Sequence, residues 1–147
     1  MKIVVVGGCF DILHGGHIRL LEEARKLGDV LIVLINDDAY LRRSKGPTRP
    51  YLCLEERMAI LMALRCVTLV LPFSEATPCN MLRMIEPDIF VKGSEYAGCE
   101  IAEMKTMSQW GGEVVYIDSG IETHTGDIMQ LVEQTECDDH IMQDLGL

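Results

Sequence analysis

The segment from Gly7 to His17 constrains the fold of this chain more strongly than any other, because it joins an apolar run to two histidines three residues apart. Residues 1–6 form a short apolar run, typical of a buried parallel strand, and Gly7 and Gly8 predict a sharp turn at its end. A helix is predicted to follow, and the free N–H groups and positive dipole end at its N-terminus attract anions. The segment therefore predicts a polyphosphate site at a strand–helix junction.

Two histidines add side-chain donors to this junction. His14 and His17 can each offer a ring N–H group to a phosphate oxygen, and Gly15 and Gly16 let such an oxygen approach the backbone. A zinc site formed by Cys9, His14 and His17 is the weaker interpretation, because glycines beside a strand end account for the histidines without a metal. We therefore expect no metal held by protein side chains alone.

The length and charge of the chain limit the classes of function. Its 147 residues fit one domain, which we place at residues 1–135, followed by an acidic C-terminal tail at residues 136–147. The formal net charge of −10 argues against a nucleic-acid partner, because such binding depends on clustered Lys and Arg. No apolar run reaches the length of about 18 residues that a membrane span needs. A small-molecule ligand is the partner expected.

The first residues and the cysteines indicate the compartment. Residues 1–3 enter a strand directly, without the basic and then apolar pattern of a secretory leader. The six cysteines include no C-x-x-C pair and lie mostly in apolar stretches, as reduced structural thiols do. We therefore expect a cytoplasmic protein without a disulfide framework.

One segment carries a concentration of positive charge in this otherwise acidic chain. Arg42, Arg43, Lys45 and Arg49 lie close together in the sequence, which favours a local site for a small phosphorylated ligand. Residues 44–50 also contain Gly46, Pro47 and Pro50, so neither a helix nor a central strand is expected there. We predict a flexible flap that brings Lys45 over the site.

The order of apolar patterns predicts the fold class. Helical stripes and stops alternate with short apolar runs along the whole chain, which is typical of an α/β domain with right-handed crossovers. The predicted strands are residues 1–6, 30–35, 67–71, 88–91 and 113–117. The predicted helices are one with an apolar stripe at Leu20, Leu21, Ala24 and Leu27, one over 54–64, one capped by Thr77 and stopped by Pro87, one containing Ile101 and Met104, and one from near Thr125. We expect a five-stranded parallel sheet with helices on both faces.

The sequence Gly8-Cys9-Phe10-Asp11-Ile12-Leu13-His14-Gly15-Gly16-His17 resembles the G-x-F-D-x-x-H-x-G-H signature of the cytidylyltransferase-like nucleotidyltransferases. Residues 24–29, 45–50 and 91–93 are similar to further segments of the adenylyltransferase domain of ADP-heptose synthases. The resemblance implies a single Rossmann-like domain that transfers AMP from ATP to a sugar 1-phosphate, such as a heptose 1-phosphate, and releases pyrophosphate. It also implies a homodimer, and Mg²⁺ bound mainly through the nucleotide phosphates.

This family likeness implies a role for each matching residue. His14, His17 and Lys45 are expected to be catalytic, because they would stabilise the charge of the departing pyrophosphate. The expected substrate-binding residues are Asp11, Asp38, Arg42 and Arg57, with Asp11 also holding its turn and Arg57 pointing from its helix toward the sheet edge. The expected nucleotide-binding residues are Gly8, Cys9, Phe10, Gly16, Lys92, Gly93, Thr123 and Thr125.

Two departures from the family pattern leave alternatives open. Residues 123–126 read Thr-His-Thr-Gly where the family has an S/T-T-T motif, and residues 93–96 read Gly-Ser-Glu-Tyr where heptose enzymes have G-G-D-Y. One alternative is a cytidylyltransferase that makes a CDP-alcohol from CTP and a phosphorylated alcohol such as glycerol 3-phosphate. A second is a non-catalytic nucleotide-binding subunit. A comparison of ATP with CTP separates the first alternative from the main hypothesis.

Overall fold

A computed structural model of the protein describes residues 1–120 and 128–130, and within them five parallel strands form one sheet. The spatial order of the strands is β3-β2-β1-β4-β5, so the sheet is doubly wound from its centre. The strands are β1 (Ile3–Gly8), β2 (Val30–Asn36), β3 (Leu69–Phe73), β4 (Ile89–Gly93) and β5 (Glu113–Ile117). The predicted fold class, a single α/β domain with a parallel sheet, is confirmed.

Helices connect the strands in chain order. They are α1 (Gly15–Arg25), α2 (Asp38–Lys45), α3 (Leu54–Met62), α4 (Cys79–Ile85) and α5 (Ala102–Met107). Short 3₁₀ turns lie at Ser94–Tyr96 and Ser108–Trp110. In the described part of the chain, no helix has the length and apolar character needed to cross a bilayer.

Two apolar clusters lie on opposite faces of the sheet. Alternate side chains of β1 separate between them, with Val4 and Val6 in one cluster and Val5 in the other, because successive side chains of a strand point to opposite faces. Leu21 of α1 and Leu61 of α3 cover the first face. Helices α4 and α5 cover the second face through two of their buried residues, Leu82 and Met107. The expected helices on both faces are therefore confirmed.

Several local predictions differ from the structure; strand β3, for example, runs over Leu69–Phe73 and not over 67–71. Strand β1 continues through Gly7 and Gly8, because these residues pair in parallel register with Leu34 and Ile35 of β2. Lys45 is the last residue of α2 and not part of an irregular flap. Helix α4 begins after Pro78, which is its N-cap, so Thr77 does not cap it. The helix expected near residue 125 and the acidic tail at 136–147 lie outside the described residues.

Candidate nucleotide-binding site

A cleft of about 590 Å³ lies at the carboxyl ends of β1 and β4, where a doubly wound sheet places its ligands. Its volume falls within the range of small-molecule sites, roughly 300–1,000 Å³. The structure brings into this cleft the expected residues Gly8, Cys9, Phe10, Asp11, His14, His17, Lys45, Lys92 and Gly93. Most of the residues predicted to form the site therefore share one surface.

His14 and His17 hold each other in place at the start of α1. The Nδ1 atom of His14, the N-cap residue, accepts a hydrogen bond of 3.1 Å from the Gly16 amide, and Nδ1 of His17 accepts one of 3.3 Å from the His14 amide. The rings stack with centroids 3.8 Å apart. Because each Nδ1 is an acceptor, the proton of each neutral ring is assigned to Nε2. The two imidazoles are thus oriented by the protein itself.

This capping arrangement changes the expected role of Gly16. Its amide donates to His14 Nδ1, so the expectation of a free N–H group for phosphate at this position is corrected. Gly16 is buried in the first turn of α1 and does not line the cleft. The polar groups presented at this helix start are therefore the two imidazole rings and not the Gly16 amide.

Phe10 sets the path of the backbone between β1 and the two histidines. Its φ of 47° lies in the left-handed region, which is uncommon for a residue with a large side chain. The Phe10 ring meets the ring of His17 edge-on, with centroids 5.2 Å apart. A Cβ at Gly8 would come within 3.0 Å of the Phe10 ring. The position of the two imidazole rings thus depends on the strained backbone of Phe10 and on Gly8, which leaves room for the Phe10 ring.

Asp11 is saturated by protein donors. Its carboxylate is 2% exposed and accepts 2.7 Å from Arg49 Nε, 2.9 Å from the Tyr51 amide and 3.0 Å from the Leu52 amide. The expected contact of Asp11 with substrate therefore gives way to its other expected role, that of holding the turn. Arg49 also stacks on the Tyr51 ring, 4.4 Å from its centroid.

Arg57 joins three segments behind the cleft. Its side chain is fully buried and donates hydrogen bonds to the carbonyl oxygens of Cys9, Asn36 and Leu52. It also pairs with Asp38 at 2.7 Å. Arg57 does point to the sheet edge, as expected, but its donors are used inside the protein. The expected substrate contact of Arg57 is corrected, because its buried side chain does not reach the cleft. The expected contact of Asp38 is corrected too, because Asp38 pairs with Arg57 and does not line the cleft.

The basic rim of the cleft is formed by Lys45 and Arg49. Arg42 and Arg43 are exposed on α2 and do not line the cleft, so the structure does not bring Arg42 to the other site residues and its substrate contact stays a prediction. The sequence placed Arg49 in the basic segment but predicted no contact of its own in the site, such as its pairing with Asp11. We call Gly8 to His17 together with Arg49 the β1 side of the cleft.

The opposite wall carries a second charged group. Lys92 Nζ lies 3.6 Å from Glu103 Oε1 and 4.3 Å from the centroid of the Tyr96 ring. The carboxylate of Glu95 lies directly over Gly93, where a Cβ would collide with it. We call Lys92, Tyr96 and Glu103 the β4 side of the cleft. Glu103 was missed, because nothing in its local sequence distinguishes it from an exposed helical glutamate.

Two groups that lie away from the cleft have a shifted pKa. The hydrogen bond and charge of Lys26 lower the pKa of Glu23 on α1. Burial raises the pKa of the Cys66 thiol. Neither group lines the cleft.

Among residues 1–120 and 128–130, no three His, Cys, Asp or Glu side chains come together to hold a metal ion. Thr123 and Thr125, expected to bind nucleotide, lie outside the described residues.

Sequence comparison with known proteins agrees with a nucleotide-binding site in this cleft. Residues 5–138 match the cytidylyltransferase-like family. The bifunctional protein HldE of Streptomyces coelicolor is 46% identical over 82% of this chain and 27% of its own length. HldE of Pectobacterium carotovorum is 53% identical over 77% of this chain and 24% of its own length. The chain thus spans about a quarter of these relatives.

A solved structure supports the same grouping. The lipopolysaccharide core biosynthesis protein from Thermoplasma volcanium superposes with a TM-score of 0.70 at 29% identity, covering 80% of this chain and 97% of that protein. The resemblance predicted from the histidine segment is therefore confirmed.

Proposed function

The chain belongs to the cytidylyltransferase-like family, and from that premise we propose that it transfers AMP from ATP to a sugar 1-phosphate. An ionised oxygen of the sugar phosphate attacks the α-phosphorus of ATP. The bond from that phosphorus to the oxygen bridging to the β-phosphate breaks, and pyrophosphate leaves with the electron pair. The products are an ADP-sugar and pyrophosphate. The observation that carries this proposal is the imidazole pair at the start of α1, stacked at 3.8 Å and facing the cleft.

In this reaction His14 and His17 donate from Nε2 to oxygens of the departing pyrophosphate. Their Nδ1 atoms already accept backbone hydrogen bonds, so little reorganisation is needed when charge develops. The attacking phosphate is ionised at neutral pH, and a general base is therefore not required. Lys45 and Arg49 add positive charge at the rim, and Lys92 and Gly93 lie along the nucleotide on the β4 side.

Mg²⁺ belongs to the proposed reaction as an ion carried by ATP. Bound to a triphosphate, it neutralises charge on the phosphate oxygens. The oxygens of Asp11 are used by Arg49, Tyr51 and Leu52. The donor set therefore fits an ion held mainly by nucleotide and water, which Mg²⁺ tolerates well.

The choice of ATP and of a heptose 1-phosphate-like acceptor is supported by likeness to adenylyltransferase domains of ADP-heptose synthases. The relatives named HldE match this chain over about a quarter of their length, so the acceptor is part of the proposal. A cytoplasmic location, consistent with ATP as substrate, and a homodimer belong to the same proposal. Sedimentation velocity is expected to give twice the mass of the 16.5 kDa chain.

The test is release of pyrophosphate with ATP or CTP, each combined with heptose 1-phosphate or glycerol 3-phosphate. We expect rapid release with ATP and heptose 1-phosphate and formation of the ADP-sugar. Preference for CTP with glycerol 3-phosphate would assign the chain to CDP-alcohol synthesis. Nucleotide binding without release in any combination would instead identify a non-catalytic subunit.

A further inference from the structure

Glu103 is a buried carboxylate that the proposed transfer step does not use. It lies in the first turn of α5, is 4% exposed, and lines the cleft. Its neighbours in the cleft wall are Lys92 and Tyr96. A charged group with so little exposure is costly to keep unless other polar groups replace its water.

The protein supplies Glu103 with few partners. Its contact with Lys92 Nζ is 3.6 Å long, which is beyond a good hydrogen bond. Neither carboxylate oxygen accepts a hydrogen bond from any residue in the ranges 1–120 and 128–130. An ionised carboxylate offers about four acceptor positions. Since no buried side-chain oxygen of the described residues lacks a hydrogen-bond partner, the oxygens of Glu103 reach the open space of the cleft that it lines.

The pairing of Glu103 with Lys92 indicates the chemistry of a ligand group that could bind between them. A hydroxyl group both donates and accepts hydrogen bonds, so it can donate to the carboxylate and accept from the ammonium group at the same time. A phosphate group would be repelled by Glu103, and an exocyclic amine could not accept from Lys92. The two oxygens of one carboxylate can also receive two adjacent hydroxyl groups.

We propose that Glu103 binds vicinal hydroxyl groups of a substrate, those of the nucleotide ribose or of the acceptor sugar, and so determines specificity on the β4 side. This inference rests on the proposed function only for the identity of the ligands that enter the cleft. Lys92 contacts both the Glu103 carboxylate and the Tyr96 ring, and it orients the bound hydroxyl groups. Glu103 is a binding residue, so its substitution weakens affinity for the substrate whose hydroxyl groups it binds and does not change which group is transferred.

The test is calorimetric titration of wild-type protein and of Glu103→Gln, with Glu100→Gln as control. Glu100 is an exposed glutamate just before α5, so its substitution makes the same chemical change outside the cleft. The ligands are ATP, 2′-deoxy-ATP and 3′-deoxy-ATP, and heptose 1-phosphate in the presence of α,β-methylene-ATP. Hydrogen bonds to a charged group predict a loss of about 10- to 100-fold in affinity for one of these ligands in Glu103→Gln.

The two sources of hydroxyl groups give different patterns. If the ribose is bound, wild-type protein favours ATP over a deoxy analogue, and Glu103→Gln loses that preference. If the acceptor is bound, Glu103→Gln weakens heptose 1-phosphate and leaves ATP unchanged. Affinities that all match those of Glu100→Gln overturn the proposal, and so does an equal loss for ATP and both deoxy analogues with acceptor binding unchanged.

Folding and turnover are checked separately. If Glu103→Gln is not folded by circular dichroism, Glu103→Asp takes its place, since it keeps the charge beside Lys92 but withdraws the oxygens by one methylene, and the same ligand is expected to weaken. The titrations measure binding and can be made even if the protein does not catalyse the reaction. If Glu103→Gln shows the expected loss of affinity but wild-type protein releases no pyrophosphate, the proposed reaction is wrong and this inference stands.

Discussion

The two sides of the cleft each contain a buried carboxylate, and the protein treats the two in opposite ways. On the β1 side, Asp11 is 2% exposed and receives hydrogen bonds from Arg49, Tyr51 and Leu52. On the β4 side, Glu103 is 4% exposed and has Lys92 at 3.6 Å. A carboxylate saturated by protein donors fixes structure, whereas one with spare acceptor capacity can bind a ligand. We infer that the β1 side is preorganised for chemistry and the β4 side for recognition.

The largest expected effect comes from the support behind the β1 side. Replacing Arg57 by Leu removes four hydrogen-bonded contacts and leaves Asp38 without its partner. Loss of one member of a buried network of this kind costs about 4 kcal/mol or more. Urea unfolding should show this loss. Arg65→Leu, at an exposed position, is the control and should change stability by less than about 0.5 kcal/mol; an equally mild effect of Arg57→Leu would contradict a rigid β1 side.

A matched pair of amide substitutions tests the comparison itself. Asp11→Asn replaces an acceptor by a donor opposite Arg49 and two amides, and is expected to destabilise the protein by about 2–4 kcal/mol. Glu103→Gln loses one long ion pair, and removal of a buried charge offsets that loss, so we expect less than about 1 kcal/mol. Thermal and urea unfolding of both variants give the two values. Equal losses would erase the distinction between the two sides.

The smallest expected effect concerns the ring that backs Lys92. Tyr96→Leu removes the aromatic face 4.3 Å from Lys92 Nζ, and a partly exposed contact of this type is worth about 0.5–1 kcal/mol. ATP affinity should fall by about 2- to 5-fold. Tyr96→Phe keeps the ring and should bind ATP like wild type. A loss in Tyr96→Phe equal to that in Tyr96→Leu would assign the effect to the hydroxyl and not to the ring.

The architecture was accessible from local sequence patterns because buried strands and amphipathic helices repeat at fixed spacings. Strand β5 was predicted at its observed bounds, Glu113–Ile117. The end of β1 was not, since Gly7 and Gly8 have turn chemistry but are held in the sheet by pairing with β2. Tertiary pairing overrides local preference at such positions.

The histidine pair was also accessible from sequence, because its function depends on close spacing within one helical turn. The partners of the charged residues were not. Asp11 and Arg49 are 38 residues apart, and Glu103 meets Lys92 only because α5 packs beside the end of β4. Arg57 was expected to point toward the sheet edge and bind substrate, and its full burial was not anticipated, since arginine is rarely fully buried. Contacts across long separations leave no local periodic signal.

The central claim is that the Nε2 atoms of the imidazole pair stabilise the departing pyrophosphate, and two substitutions of His17 test it most directly. Asn can retain the acceptor that replaces Nδ1 toward the His14 amide but lacks the distal donor, whereas Gln retains a donor near the Nε2 position. The measurement is kcat for pyrophosphate release by the two variants, with thermal unfolding as the check on folding. We predict that His17→Asn stays folded and loses about 100-fold or more in kcat, and that His17→Gln loses much less. A folded His17→Asn variant with wild-type kcat would contradict the account.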